Sequence, residues 1–287
     1  MSALITLEAA SFTRNGRRLI HEVDLEAPSG ALTVIIGPNG AGKSTLLRLL
    51  SGELRPTGGV ARWEQQSLAS IEPWRLARRR AFLSQSVSVS SPFLAAEIVE
   101  LGLAASGSRS SARERAEILA QALAAAEVSH LAARRYDKLS GGEQRRVQFA
   151  RAIAQLHAGA LDGGRQALLL DEPIANLDLR HQLRLLDEAR RLARQGVAVV
   201  AVLHELNFAA RYADELVVMR DGAIVAAGAP GPVLTEARLA EAFGLDLRIA
   251  HASMIVPSSW VAEASQSPRD CGGLDATRLP STSAKSR

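Results

Sequence analysis

The sequence lacks the features that mark a secreted or membrane-spanning chain. Cys271 is its only cysteine, so no disulfide can form within the chain. The longest apolar runs are strand-sized, such as "VAVVAVL" from Val197, whereas a transmembrane helix needs about 20 apolar residues. The N-terminal stretch contains Glu8 and no basic segment before its apolar residues, so no signal peptide is expected. These absences predict a folded cytoplasmic protein.

Lysine is also scarce, and the chain otherwise carries its positive charge on arginine. The formal net charge of +4 could indicate a nucleic-acid partner. However, the arginines are interleaved with acids, as in "RLLDEARRLARQ", a pattern that is typical of solvated helix faces. We therefore predict no nucleic-acid partner. Among the few lysines, Lys43 draws attention because it lies in a glycine-rich stretch, where lysine supplies a compact point charge.

The N-terminal part of the chain has the pattern of antiparallel β-structure. Roughly the first 35 residues alternate between apolar and polar, with a hairpin turn at Asn15-Gly16. Residues 60–84 indicate short strands and a turn, ending in "RAFLSQ". From about residue 90 to 135 the pattern is helical and rich in alanine, which predicts an inserted α-helical subdomain.

The remaining patterns predict an α/β core. Buried strands are expected at Leu32–Ile36, at the run ending at Leu170 and at Val197–Leu203, and they alternate with predicted helices. Such alternation predicts a mostly parallel sheet. A further hairpin is predicted around Asp221-Gly222.

A phosphate-binding loop is predicted between the first buried strand and the helix that follows. The segment "GPNGAGKST" matches the pattern G-x-x-x-x-G-K-[ST] in its proper context. Backbone N–H groups of such a loop wrap a phosphate chain at a helix N-terminus. Lys43 would reach the β- and γ-phosphates, and Ser44 would bind Mg²⁺. The predicted nucleotide-binding residues of this loop are Gly37, Pro38, Asn39, Gly40, Ala41, Gly42, Lys43, Ser44 and Thr45.

Two carboxylates follow a second buried strand in "LLLDEP". Asp171 fits the acidic residue that holds Mg²⁺ in phosphate-loop enzymes. Glu172 is a second carboxylate, positioned to activate the attacking water as a general base. Alone, this pair could equally be two solvated acids at a strand end, but the phosphate loop favours a catalytic site.

The stretch "LSGGE" predicts a capped helix N-terminus that also suits phosphate. Ser140 would be the N-cap, and Glu143 three residues later completes a capping box. A capped N-terminus with Gly141 and Gly142 can bind an anion. The chain therefore has two candidate phosphate sites.

The phosphate loop, "LSGGE" and "LLLDEP", in that order, resemble the nucleotide-binding subunit of an ATP-binding cassette (ABC) transporter. The likeness runs over about residues 4–250 and implies a P-loop NTPase core within a domain at 1–250. It implies ATP and Mg²⁺ as cofactors. Residues 251–261 would form a C-terminal extension, and the polar segment 262–287 is expected to be disordered.

The resemblance also implies partners. Ser140, Gly141 and Gly142 resemble the signature motif, which closes on ATP held by a second subunit, so a homodimer with two ATPs is expected. A chain without a membrane span would dock on integral membrane permease subunits, which work with a periplasmic or surface substrate-binding protein. The subunit would then lie at the cytoplasmic face of the cell membrane.

Four further positions match this family. Gln85 matches the Q-loop residue that senses Mg²⁺ and has a catalytic role, and His204 matches the switch histidine that contacts the γ-phosphate. Asp178 matches the D-loop, which crosses the dimer interface to the partner's ATP. Phe12 lies where the family has an aromatic residue beside adenine, although a core role is nearly as well supported. One departure from the family pattern, Ile174-Ala175-Asn176, leaves both carboxylates in place.

The substrate is predicted only by pattern. "LHELNFAARYADELVVM" resembles importers of iron chelates, haem and vitamin B12. "SVSVSSPFLAAEIVELG" and the glycine-rich loop before "LLLDEP" most resemble haemin-importing ATPases. Ferric siderophore and cobalamin import are the alternatives, and a nucleic-acid-associated ABC ATPase is a distant one. A P-loop kinase would give no reason for "LSGGE" or His204.

Overall fold

The computed structural model describes residues 3–85, 92–107 and 110–244. The predicted C-terminal extension at 251–261, the predicted disordered segment 262–287 and the stretch "SVSVSS" lie outside the described residues. The strands are β1 (Ala3–Arg14), β2 (Arg17–Pro28), β3 (Leu32–Ile36), β4 (Gly58–Trp63), β5 (Gln66–Ser67), β6 (Arg80–Leu83), β7 (Ala167–Asp171), β8 (Ala198–Val202), β9 (Glu215–Arg220) and β10 (Ala223–Gly228). The helices are α1 (Lys43–Ser51), α2 (Pro73–Arg79), α3 (Ala95–Ser106), α4 (Ala112–Ala125), α5 (Gly141–Ala160), α6 (Leu179–Arg194), α7 (Leu206–Tyr212), α8 (Pro230–Val233) and α9 (Glu236–Phe243).

An antiparallel sheet forms the N-terminal part, as predicted. Its strand order is β2-β1-β4-β5. The turn between β1 and β2 has positive φ at both Asn15 (51°) and Gly16 (74°), which is the geometry of a type I′ hairpin. Residue Ile20 of β2 pairs with Phe12 of β1. The Ile20 side chain also lies against Gly42, the residue before α1, since a Cβ added to Gly42 would be only 2.9 Å from Ile20 Cδ1. The hairpin therefore packs beside the predicted phosphate loop.

The second sheet is mostly parallel, which confirms the predicted fold class. Its order is β10-β9-β3-β8-β7-β6, and only β10 runs antiparallel to its neighbour. Strands β3, β7 and β8 are buried along their whole length, as expected for a parallel sheet covered on both faces. The carboxyl ends of β3, β8, β7 and β6 thus lie side by side at one edge, where ligands bind in such sheets.

Helix α5 is the central helix of the α-helical part. It packs against α2, α3 and α4, and also against β6 and β7. Two glycines allow its closest contacts. A Cβ at Gly102 of α3 would lie 2.2 Å from the carbonyl oxygen of Arg151, and one at Gly159 would lie 1.9 Å from that of Arg78. Any side chain at either position would collide with the backbone of the neighbouring helix.

The structure differs from the sequence predictions in two places. Helix α2 lies within the stretch predicted to contain only short strands and a turn, and Leu76 is the only one of its residues that is fully buried. Helix α5 extends to Ala160, so it includes the first residues, from His157 on, of the glycine-rich loop predicted before "LLLDEP". Among the described residues, no helix has both the length and the apolar character that crossing a bilayer requires.

Candidate functional site

The loop between β3 and α1 has the backbone geometry of a phosphate cradle. Gly37, Gly40 and Gly42 have φ values of 150°, 82° and 96°, in the region that favours glycine. A Cβ at Gly37 would lie 2.3 Å from the carbonyl oxygen of Met219, so the loop must pass close to β9. The turn of the β9–β10 hairpin supports the loop from outside, because the Gly222 N–H donates to the carbonyl of Ala41 at 3.0 Å.

Lys43 is held at the mouth of this loop. Its Nζ donates to the carbonyl oxygens of Gly37 (2.8 Å) and Pro38 (2.9 Å), and the residue is only 6% exposed. Burial lowers the pKa of Lys43, and the nearby carboxylates of Glu172 and Asp171 oppose that shift. The ammonium group is therefore desolvated and close to where phosphates would bind.

Asp171 and Ser44 form a site that fits Mg²⁺. Ser44 Oγ donates to Asp171 Oδ1 at 2.9 Å, and Asp171 is fully buried. Burial raises the pKa of Asp171, while the bond from Ser44 partly offsets the shift. No described residue donates a hydrogen bond to the buried Asp171 Oδ2. A buried carboxylate oxygen without a partner, beside a hydroxyl, suits a hard cation that completes its shell with water and phosphate oxygens.

Glu172 joins the ends of three neighbouring strands. Gln85, after β6, donates from Nε2 to Glu172 Oε2 at 2.9 Å. His204, after β8, brings Nε2 within 2.6 Å of Glu172 Oε1. Glu172 itself has φ of 49°, a conformation that non-glycine residues adopt at a cost of about 1–3 kcal/mol. The three residues predicted as catalytic therefore meet at one carboxylate, whose side chain is 17% exposed.

Arg145 is a residue of this site that sequence reasoning missed. It projects from α5 and donates to the carbonyls of Asp171, Glu172 and Pro173 on one side and of Ser84 and Gln85 on the other. Its partners are 26–61 residues distant in the chain, so no local pattern indicates them. The only sequence signal is its position on the helix that "LSGGE" begins.

The predicted capping box at "LSGGE" is confirmed. The Ser140 N–H donates to Glu143 Oε2 at 2.7 Å, and the Glu143 N–H donates to Ser140 Oγ at 3.3 Å. Gly141 is exposed with open space around its Cα, whereas a Cβ at Gly142 would lie 3.1 Å from the carbonyl oxygen of Asn176. The signature motif therefore lies beside the segment that leads to Asp178.

Asp178 and Phe12 have local roles within the chain. Asp178 caps α6 by accepting from the His181 N–H at 2.9 Å, and its carboxylate also contacts His181 Nδ1 at 2.8 Å. Its side chain remains 65% exposed, so it is accessible to a second molecule. Phe12 is partly buried against the hydrophobic core. The roles predicted for both residues toward nucleotide stay predictions.

This fold and site define a nucleotide-hydrolysing cassette, and comparison with known proteins identifies its family. The family described as ABC transporter matches residues 20–175, and the chain belongs to this family as an ATP-binding, ATP-hydrolysing component. The chain is 47% identical over 249 residues to the Hemin import ATP-binding protein HmuV of Rhodopseudomonas palustris, a match that covers 87% of this chain and 91% of that protein. It is 45% identical over 234 residues to HmuV of Rhizobium meliloti, covering 82% and 88%.

Solved structures agree with the fold. A dimeric ATP-binding cassette in a post-hydrolysis state, bound to ADP and Pi, superposes with a TM-score of 0.68 at 25% identity. The match covers 79% of this chain and 98% of that chain. The family resemblance predicted from the three motifs is thus confirmed.

Proposed function

We propose that this chain hydrolyses MgATP as a homodimer and so drives haemin uptake through separate permease subunits at the cytoplasmic face of the cell membrane. A periplasmic or surface binding protein would deliver the haemin to the permease. The observation that carries the catalytic part is the meeting of Gln85, Glu172 and His204 at the ends of adjacent strands. The substrate rests on the similarity to haemin-import ATP-binding proteins over nearly their whole length.

The chain's residues take the following roles in hydrolysis. The phosphate-loop amides and Lys43 would bind the triphosphate, and Ser44, Asp171 and Gln85 would hold Mg²⁺. When bound, Mg²⁺ supplies charge neutralisation at the β- and γ-phosphate oxygens. Glu172 accepts a proton from the attacking water as general base. His204, at 2.6 Å from Glu172, orients the carboxylate and reaches toward the γ-phosphate.

The second half of each ATP site comes from another copy of the chain. The N-terminus of α5 is open to an anion. Ser140 caps the helix, Ser140 and Gly141 are exposed, and Gly142 is partly exposed. A head-to-tail dimer would bring them, together with Asp178, onto the ATP held by the partner subunit.

The permease would dock in a groove beside the Q-loop. A cavity of about 500 Å³ lies between α2, α3, α5 and β6. Its walls include the apolar side chains of Ala77, Ile98, Leu101 and Ala105, and Ser84, the residue before Gln85, also lines it. Leu101 is a large apolar residue that is nearly half exposed. A cytoplasmic segment of the permease in this groove would lie next to the residue that contacts Glu172.

The test is growth of the source organism on haemin as sole iron source, with Glu172→Gln in the chromosomal gene. We expect loss of growth on haemin and unchanged growth with a ferric siderophore or with cobalamin-dependent metabolism. Glu117→Gln, an exposed acid on α4, is the matched control and should grow normally. A growth defect only with a ferric siderophore or cobalamin would support the transport role but show that the substrate is not haemin. Normal haemin uptake by the Glu172→Gln strain would contradict the proposal.

A further inference from the structure

One guanidinium connects the signature helix to both catalytic strand ends. Arg145 Nη1 donates to the carbonyls of Ser84 (2.5 Å) and Gln85 (3.0 Å). Its Nη2 donates to the carbonyls of Asp171 and Glu172, the latter at 2.6 Å, and its Nε donates to Pro173 at 3.3 Å. A guanidinium has five N–H donors in a fixed plane, and here each has a carbonyl partner.

These five carbonyls lie where the backbone leaves the sheet. Strand β6 ends at Leu83 and β7 at Asp171, so the following carbonyls are no longer in the ladder. Glu172 also has its strained positive φ at this point. Partly buried carbonyls at a strand end need donors other than the ladder, and a conformation in a sparsely populated region persists only where surrounding contacts hold it. Arg145 supplies such contacts to the backbones of both Gln85 and Glu172.

Arg145 is also rigidly linked to the signature motif. It lies five residues after the N-cap Ser140 on the same helix, a separation of about 7.5 Å along the helix axis. A shift of the helix N-terminus is therefore transmitted to the guanidinium with little loss. The guanidinium in turn contacts the backbone of the proposed base and of the Q-loop glutamine.

We propose that Arg145 is a positioning residue for ATP hydrolysis, which transmits the position of the signature helix to Gln85 and Glu172. Contact between Ser140 and the ATP of the partner subunit would thereby place Glu172, the general base of the chain that contains this Ser140, in position for hydrolysis. This inference rests on the proposed role of Glu172 as base. It assigns no contact between Arg145 and ATP, so nucleotide binding should not depend on it.

The test separates positioning from folding by a conservative change. Arg145→Lys keeps the charge but offers three donors on a flexible stem, so it cannot satisfy five carbonyls in one plane. We expect kcat of the full chain to fall at least about tenfold, with KM for ATP within about twofold, because only alignment of the base is lost. Binding of a fluorescent ATP analogue should stay close to wild type, whereas the melting temperature should fall by only a few degrees, because some of the carbonyls lose their donor. Arg145→Gln, which offers two donors and no charge, should behave the same way.

The matched control is Arg151→Lys. Arg151 lies on the same helix, is also largely buried, and donates hydrogen bonds to Gln148 and to Phe82 of β6 rather than to the strand-end carbonyls that Arg145 binds. Its hydrolysis should stay within about twofold of wild type. An unchanged kcat in both Arg145 variants would overturn the inference. Weakened ATP binding together with a strongly lowered melting temperature would also overturn it, because that result indicates a purely structural role. Turnover by Glu172→Gln would instead refute the base assignment itself.

Discussion

Single residues of the site work with charges that the fold has removed from water. Asp171 is fully buried and Lys43 nearly so, and burial shifts the pKa of each toward its neutral form. The carboxylates of Glu172 and Asp171 oppose the pKa shift of Lys43, and the hydrogen bond from Ser44 opposes that of Asp171, but burial is the larger effect in both cases. Nucleotide and metal would add opposite charges beside both groups. The site is therefore built so that its ligands stabilise the charged forms.

This arrangement predicts proton uptake when ATP binds at alkaline pH. Free Lys43 has a lowered pKa, so it loses its proton at a lower pH than an ordinary lysine. The negative triphosphate raises the pKa of Lys43 again, so ATP binding takes up a proton at any pH between the pKa of the free protein and that of the complex. The affinity for ATP therefore falls as pH rises through the pKa of the free protein. Calorimetric titration in two buffers of different ionisation enthalpy measures this uptake. Lys43→Arg should show none, and equal enthalpies for wild type in both buffers would contradict the prediction.

At the scale of elements, the sequence predicted those whose cause is local. The hairpin turns at Asn15-Gly16 and Asp221-Gly222, the buried strand Leu32–Ile36 and the capped start of α5 all follow from short patterns. Helix α2 was missed because it spans only seven residues and buries only Leu76 fully, so its periodicity is weak. Its proline at the first turn was the available signal.

The residues of the cluster around Glu172 could be predicted from the sequence, but their contacts could not. Matching motifs identified Gln85, Glu172 and His204, and the topology explains why they meet. Arg145 was missed because its role depends on carbonyls from two distant strands, and a carbonyl has no residue-specific signature. Interactions of side chains with backbone over long sequence separations are the part that only the folded structure reveals.

The capped helix α5 allows a direct test of its proposed contact with ATP of the partner subunit. Ser140→Arg should leave ATP binding by the monomer intact and abolish hydrolysis, because a long side chain blocks the helix N-terminus. It also removes a cap worth about 1 kcal/mol. Ser140→Asp controls for that, since aspartate keeps the cap but repels phosphate, so it should lose hydrolysis without losing stability. Loss of nucleotide binding by the Ser140→Arg monomer would show that the motif acts within one chain.

For the whole molecule, we propose a cycle in which two copies close on ATP and open after its hydrolysis. Glu172→Gln keeps the shape of the side chain but cannot accept a proton, so turnover should fall by about a hundredfold or more. The ATP-bound dimer should then accumulate. Size-exclusion chromatography with light scattering should give twice the monomer mass with MgATP and the monomer mass with ADP. A variant that remains monomeric with MgATP would argue against closure of two copies on ATP.

The close contacts of α5 also have a consequence for how such a chain can change over evolutionary time. At Gly102 and Gly159 even a methyl group would overlap the backbone of a neighbouring helix. Exposed neighbours such as Ala104 and Ala160 have no such limit. As lineages diverge, substitutions should therefore accumulate at the two alanines while both glycines persist. The crossing of three helices thus fixes part of the sequence that never contacts ATP.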